Sequence, residues 1–193
     1  MPDFHEAVEF GRLGECFVVA WLQTRGYGVI PSYEYTGKNG EKAPRLLFQN
    51  AALTIPDLDV CKAGARSWLE IKTYHGPAVN TRRGALVHGI PSRLARDYSA
   101  VEKETGTPVF IVVLELDVGA LLASRLATLT PMWPCTCAYC EQRGPGPCQS
   151  PIKEGVYWPR AAMQRLHRFS DSDLKDIRAA HARIGRPPCA KST

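Results

Sequence analysis

The chain has 193 residues, of which 45% are apolar and 22% charged; this excludes disordered and fibrous classes and allows one domain with a full core that needs no disulfides. Its longest apolar stretch, Cys16 to Leu22, is far shorter than the roughly 20 residues of a membrane helix, and the N-terminal MPDFHEAVEF lacks the basic-then-apolar order of a secretory signal, so an intracellular, cytoplasmic protein without a membrane partner is expected. The net charge of +5 is uneven: residues 1–61 and 97–152 each sum to −3, while 62–96 sum to +6 and 153–193 to +5, a distribution suited to a polyanion such as nucleic acid.

In chain order, Phe10, Leu13, Phe17 and Trp21 recur at helical spacing between about Glu9 and Arg25, with Gly26 as the stop. The run CFVVAWL is apolar nearly all round, so burial on more than one side is expected. Short β-like runs follow at Val29–Tyr35 and Arg45–Gln49, separated by TGKNGEK. Leu53–Val60 and Ser67–Tyr74, joined by CKAGAR, read as a hairpin. Residues 75–90, rich in Gly, His and Arg, read as a mobile loop. A helix is expected over Ser92–Thr105, ending at Gly106, and the continuously apolar PVFIVVLEL (108–116) as a buried central strand. Residues 131–151 are irregular and proline-rich and need an external organiser. A short strand at Gly155–Trp158 and a helix from Ser170, with Asp173 three residues on, complete the chain before Gly185. The order is α-β-β-β-α-β, a cysteine insert, then β-α.

The segment IPDLDVCKAGARSWLEIKTY carries the chemistry. Side chains alternate across a strand, so Leu58 and Val60 oppose Asp57 and Asp59, while Leu69 and Ile71 oppose Trp68, Glu70 and Lys72. Pairing the strands gathers Asp57, Glu70 and Lys72 at one end of the hairpin. Two adjacent carboxylates repel and favour a divalent cation between them; Mg²⁺ binds one or two carboxylates, keeps waters and takes phosphate oxygens. A lysine alongside can orient or deprotonate an attacking water or neutralise charge on the phosphorus. The plainer reading is an amphipathic hairpin with a solvated salt bridge.

Pro56-Asp57 followed by Glu70-Ile71-Lys72 resembles the PD-(D/E)XK nuclease superfamily, and the spacing resembles its Holliday-junction-resolvase-like branch, over roughly residues 9–116. The resemblance implies an α/β, restriction-endonuclease-like αβββαβ core with a mixed central sheet, and hydrolysis of DNA phosphodiesters dependent on Mg²⁺ (or Mn²⁺). It makes Asp57 and Glu70 metal ligands, aided by the backbone carbonyl of Ile71, and Lys72 the residue acting on water; Asp59 is a secondary candidate. Glu15, on a helical stripe with Gly11, Val18 and Leu22, matches the acid with which the family's first helix often holds a metal-bound water. Its alternative is a partly exposed residue, or a pairing with Arg12 or Arg25. Arg93 and Arg96, on the helix that commonly meets the DNA backbone, and Arg82 and Arg83, on the preceding loop, are the candidate DNA contacts. Tyr98 shares that helix but falls on its apolar stripe. The family's Gln-x-x-x-Tyr pattern is missing here.

Cys135, Cys137, Cys140 and Cys148 form C-x-C-x2-C-x7-C, which suits a structural Zn²⁺ site, with an iron–sulfur cluster as the rival. The expected division is therefore a nuclease core (1–130), a cysteine-rich zinc-binding insertion (131–151) and a strand and helix that complete the domain (152–193). The competing class of function is a zinc-stabilised nucleic-acid-binding module that keeps the fold without catalysis. Chain size favours a junction resolvase or repair-type nuclease; a homodimer would bring two sites to a four-way junction. Size and the lack of a targeting signal are compatible with a bacterial or phage protein.

Overall fold

The computed structural model describes residues 4–32, 45–49, 51–80, 84–130 and 155–183. Helix α1 spans Phe4–Gln23, and strands β1 to β5 span Gly28–Pro31, Arg45–Phe48, Ala51–Thr54, Leu58–Lys62 and Ala65–Tyr74. Strands β6 (Ala78–Asn80) and β7 (Ala85–Pro91) precede α2 (Ser92–Thr105); β8 (Val109–Glu115), β9 (Ala120–Arg125), β10 (Gly155–Pro159), β11 (Gln164–Arg168) and α3 (Asp171–Arg183) follow. The protein is mixed α/β, with three α-helices among the described residues.

The central sheet has six strands in the order β1-β4-β5-β8-β9-β11, antiparallel throughout except for the parallel pair β5 and β8. A parallel pair needs a crossover, and α2 lies within it. Setting aside the β2–β3 and β6–β7 hairpins, the order up to β8 is α-β-β-β-α-β, as expected from the sequence. A second sheet, β10-β7-β6, lies beyond the first.

Both faces of the central sheet are covered. On one, α1 and α3 bury Phe10, Val18, Leu22, Leu174 and Ile177 against Leu58, Val60, Leu69, Ile71, Val112 and Leu114. On the other, Ala95, Tyr98 and Val101, three residues apart on α2, pack with Trp68, Ile111, Val113 and Trp158. The face that carries Glu70 is therefore not the solvated side of an amphipathic hairpin, as the alternation suggested, but the edge of a second core. Helix α1 approaches β5 so closely that a Cβ at Gly14 would collide with the Thr73 hydroxyl.

Local chemistry sets the boundaries. The β4–β5 turn places Ala63 and Gly64 at φ 49° and 82°, the left-handed pair of a two-residue hairpin loop. Gly106 caps α2 in the left-handed region. At the start of α3, Asp173 Oδ2 accepts from the Ser170 N–H (2.8 Å) and the Ser170 hydroxyl accepts from the Asp173 N–H (3.3 Å), the reciprocal cap that Ser-x-x-Asp implies.

Three expectations change. Leu53–Val60 is two strands, broken around Pro56: proline lacks the N–H a ladder needs, so β3 turns to pair with β2 and β4 joins the central sheet. Residues 75–90, expected as a loop, hold β6 and most of β7, whose apolar alternation is masked by Gly and His. Strands β9 and β11 were not anticipated. Residues 131–151, with all four clustered cysteines, lie outside the described residues. Among those described, no helix is long and apolar enough to cross a membrane.

Candidate active site

Asp57 occupies the break that Pro56 creates, just before β4. Its carbonyl accepts from the Ser32 N–H (2.9 Å) and its carboxylate Oδ2 accepts from the Ile71 N–H (2.8 Å), so both backbone and side chain are held against neighbouring strands. A strand residue presents its N–H and C=O to the same edge; the Ile71 carbonyl thus faces the same gap as Asp57.

Glu70, in mid-β5, is only 1% exposed. A carboxylate so buried must have its lone pairs satisfied. Oε1 meets the Lys72 ammonium at 2.6 Å, and Oε2 accepts from the Tyr98 hydroxyl at 2.5 Å. Lys72 lies two residues on along the same face, and Tyr98 is delivered from across the core by α2.

This cluster carries surplus negative charge. Burial pushes the Asp57 carboxyl well above its ordinary range, and the charges of Glu70 and Glu15 push it further; Lys72 and the Ile71 N–H only partly offset them. For Lys72, burial alone would lower the pKa, but Glu70 and Asp57 reverse this and hold the ammonium more firmly protonated than an ordinary lysine. Burial, with Glu70 alongside, raises the Tyr98 phenol, so it acts as a neutral donor. The donor set fits a hard divalent ion: carboxylate and carbonyl oxygens, with one carboxyl that gains from added positive charge. Among the described residues, no group of three or more His, Cys, Asp and Glu is arranged to hold a metal.

The structure brings Asp57, Glu70 and Lys72 together, with Glu15 half-buried on α1 and close enough for its charge to reach Asp57. Asp59 is drawn away: its carboxylate is bound by the Arg66 guanidinium through both Nε and Nη2. Arg93 and Arg96 are exposed on α2, whose buried face delivers Tyr98. Arg82, Arg83, Cys135, Cys137, Cys140 and Cys148 lie outside the described residues. Tyr98 is the residue that sequence reasoning undervalued. Its place on the apolar stripe suggested packing, but a phenol in a core normally finds a polar partner, and that partner is Glu70.

No protein-family model matches this chain, and no curated protein matches it in sequence. Among solved structures it is similar to Hjc, a Holliday junction resolvase from the archaeal hyperthermophile Archaeoglobus fulgidus, with 10% identity and a TM-score of 0.48 over 79% of this chain and 90% of that one. It is also similar to D212, a nuclease from a fusselovirus, with 14% identity and a TM-score of 0.39 over 95% of each chain.

Proposed function

We propose that this protein is a metal-dependent DNA nuclease that hydrolyses phosphodiester bonds, of the Holliday-junction-resolvase or repair type. The observation that carries the reading is the cluster of buried Glu70 with half-buried Asp57 and Lys72, with an excess of anion that a divalent cation would neutralise. Asp57, Glu70 and the Ile71 carbonyl would hold Mg²⁺ or Mn²⁺. When bound, the ion would polarise a phosphoryl oxygen and supply a water nucleophile at neutral pH.

The side chains divide the remaining work. Tyr98 fixes one oxygen of Glu70 and leaves the other, now taken by Lys72, to be exchanged. Lys72 is held as a cation, so it suits orienting water and stabilising charge on the phosphorane better than removing a proton. Glu15, on α1 and close enough for its charge to reach Asp57, is the proposed acceptor for a water beside Asp57. Arg93 and Arg96, exposed on α2, and Arg82 and Arg83 are the proposed backbone contacts. Strand β11 pairing with β9, and α3 packing beside α1, support the C-terminal segment as part of the same domain. Zinc at Cys135, Cys137, Cys140 and Cys148 belongs to the proposal on spacing alone; metal content of the purified protein separates it from iron–sulfur.

The test is cleavage of labelled single-stranded, duplex, flap and four-way-junction DNA in Mg²⁺ or Mn²⁺, beside Lys72→Ala. Metal-dependent cutting that disappears in the variant supports the reading. One observation favours the non-catalytic binding module: both oxygens of Glu70 are already engaged. DNA binding by a folded protein with no cutting of any substrate would select that module.

A further inference from the structure

Another buried carboxylate lies on the same face of the central sheet. Glu115 closes β8 and is 0% exposed. It pairs in register with Tyr74, which follows Lys72 by two residues on β5. Strand spacings put its Cα about 8 Å from that of Lys72. Arg160, at the first residue after β10, grips this carboxylate with its fork: Nε to Oε1 and Nη2 to Oε2, both 2.7 Å. The buried His88 adds a third contact, Nε2 to Oε1 at 2.7 Å. The ring of Tyr74 stacks on His88 with centroids 5.4 Å apart, and its hydroxyl donates to the Gly89 carbonyl (2.9 Å). Tyr74 thus lies beside both Lys72, two residues back on its strand, and His88, the partner of Glu115.

The two partners differ in access. Glu115 is sealed from solvent, whereas the Arg160 side chain is 32% exposed. A guanidinium has five N–H donors in a rigid plane, and Glu115 takes the Nε side. Among the described residues the Nη1 edge meets no acceptor. An arginine bound on one edge has already lost its side-chain freedom, so little further entropy is lost when the other edge binds a ligand. Two parallel N–H groups on that edge match the oxygens of a phosphate.

We propose that Arg160, fixed by Glu115 and His88, is a phosphate-binding residue that takes a DNA backbone phosphate neighbouring the one presented to Lys72. It is a binding and positioning residue that sets how the strand lies along β5 and β8. The proposal rests on the nuclease reading for its choice of DNA, and it adds a residue from the C-terminal segment to the site.

The test is a salt series of binding to labelled duplex and four-way-junction DNA, by the full chain in EDTA, for wild type, Arg160→Lys and Glu115→Gln. A lysine can serve Glu115 or a phosphate but not both. Arg160→Lys is expected to lose roughly five- to tenfold in affinity, with the slope of log K against log salt falling by about 0.9, one phosphate contact. Glu115→Gln keeps the cation but loosens it, so affinity falls with the slope unchanged. In Mg²⁺, Arg160→Lys should raise KM and leave kcat within about twofold. If Arg160→Lys melts early, Arg160→Gln, which can still donate to Glu115, carries the same comparison. Wild-type affinity and slope in a folded Arg160 variant would overturn the inference. So would inorganic phosphate protecting wild type but not the variant from heat, with the DNA slope unmoved, since that assigns the edge to a free anion. If Lys72→Ala cuts as well as wild type, the nuclease reading fails, while a reduced slope would leave the phosphate site standing.

Discussion

Glu70 and Glu115 stand on the same face of adjacent parallel strands, and both are shut off from solvent. Around Glu115, among the described residues, each polar contact is a donor: an arginine fork and a histidine. Burial alone would raise its pKa, but His88 and Arg160 bring it below the ordinary glutamate value. Glu70 has one lysine and one phenol but shares its surroundings with Asp57, whose carboxyl ends up far above its ordinary range. A buried carboxylate with enough donors is a fixture of the fold. One with a second carboxylate beside it, and a single cation to divide, leaves a charge that something else must meet. The same sheet face thus holds a settled anion and an unsettled pair one strand apart.

The largest effect should come from removing the cation of the unsettled pair. Lys72→Ala is expected to lower the cleavage rate by about 10²–10³-fold, the loss typical of one charge-stabilising group, while circular dichroism still reports a folded protein. The settled anion should instead matter to stability. Glu115→Ala leaves Arg160 and His88 facing an empty partner and should cost about 3–5 kcal/mol, or roughly 10 °C in Tm for a chain of this size. Glu70→Gln should cost clearly less in the metal-free protein, because it also relieves Asp57; equal losses on thermal melting would erase the contrast.

Tyr98→Phe removes one hydrogen bond to a charged group, a loss of about 1.5–3 kcal/mol in that contact. Cleavage should drop about tenfold, and the Mn²⁺ concentration for half-maximal rate should rise; an unchanged metal dependence would reduce Tyr98 to packing. The smallest effect is in pH. Asp57 holds its proton to higher pH folded than unfolded, so its contribution is present below about pH 4 and is lost as pH rises through the raised folded value. Glu115 runs the other way: its contribution is present above about pH 4 and lost as pH falls through its lowered value. Urea unfolding of metal-free protein across pH should show both slopes. Asp57→Asn removes the first and Glu115→Gln the second, and added Mg²⁺ should flatten only the first.

Much of this contrast was hidden in the sequence. The Asp57, Glu70 and Lys72 grouping was legible because strand alternation and the short CKAGAR turn fix it locally. The limits of α2 were legible too, from its buried spacing and Gly106. What pairs with Glu115 was not: Arg160 lies 45 positions away, beyond the cysteine segment, and reaches it only because β10 pairs with β7. Tyr98 had the right position and an apolar pattern that concealed its hydroxyl's partner. The β6–β7 hairpin was missed because β6 is only three residues long and β7 carries His and Gly where alternation would show.

Gly14 gives the close packing of α1 on β5 an evolutionary meaning. The position before Glu15 rests against Thr73, the residue after Lys72, with no room for a side chain. Replacing that glycine even with alanine would force the Thr73 side chain or the helix that carries Glu15 to shift. Changes at position 14 would therefore disturb the packing beside the acids, although glycine there takes part in no chemistry. A mutational scan would mark it as indispensable, and only the contact with Thr73 explains why.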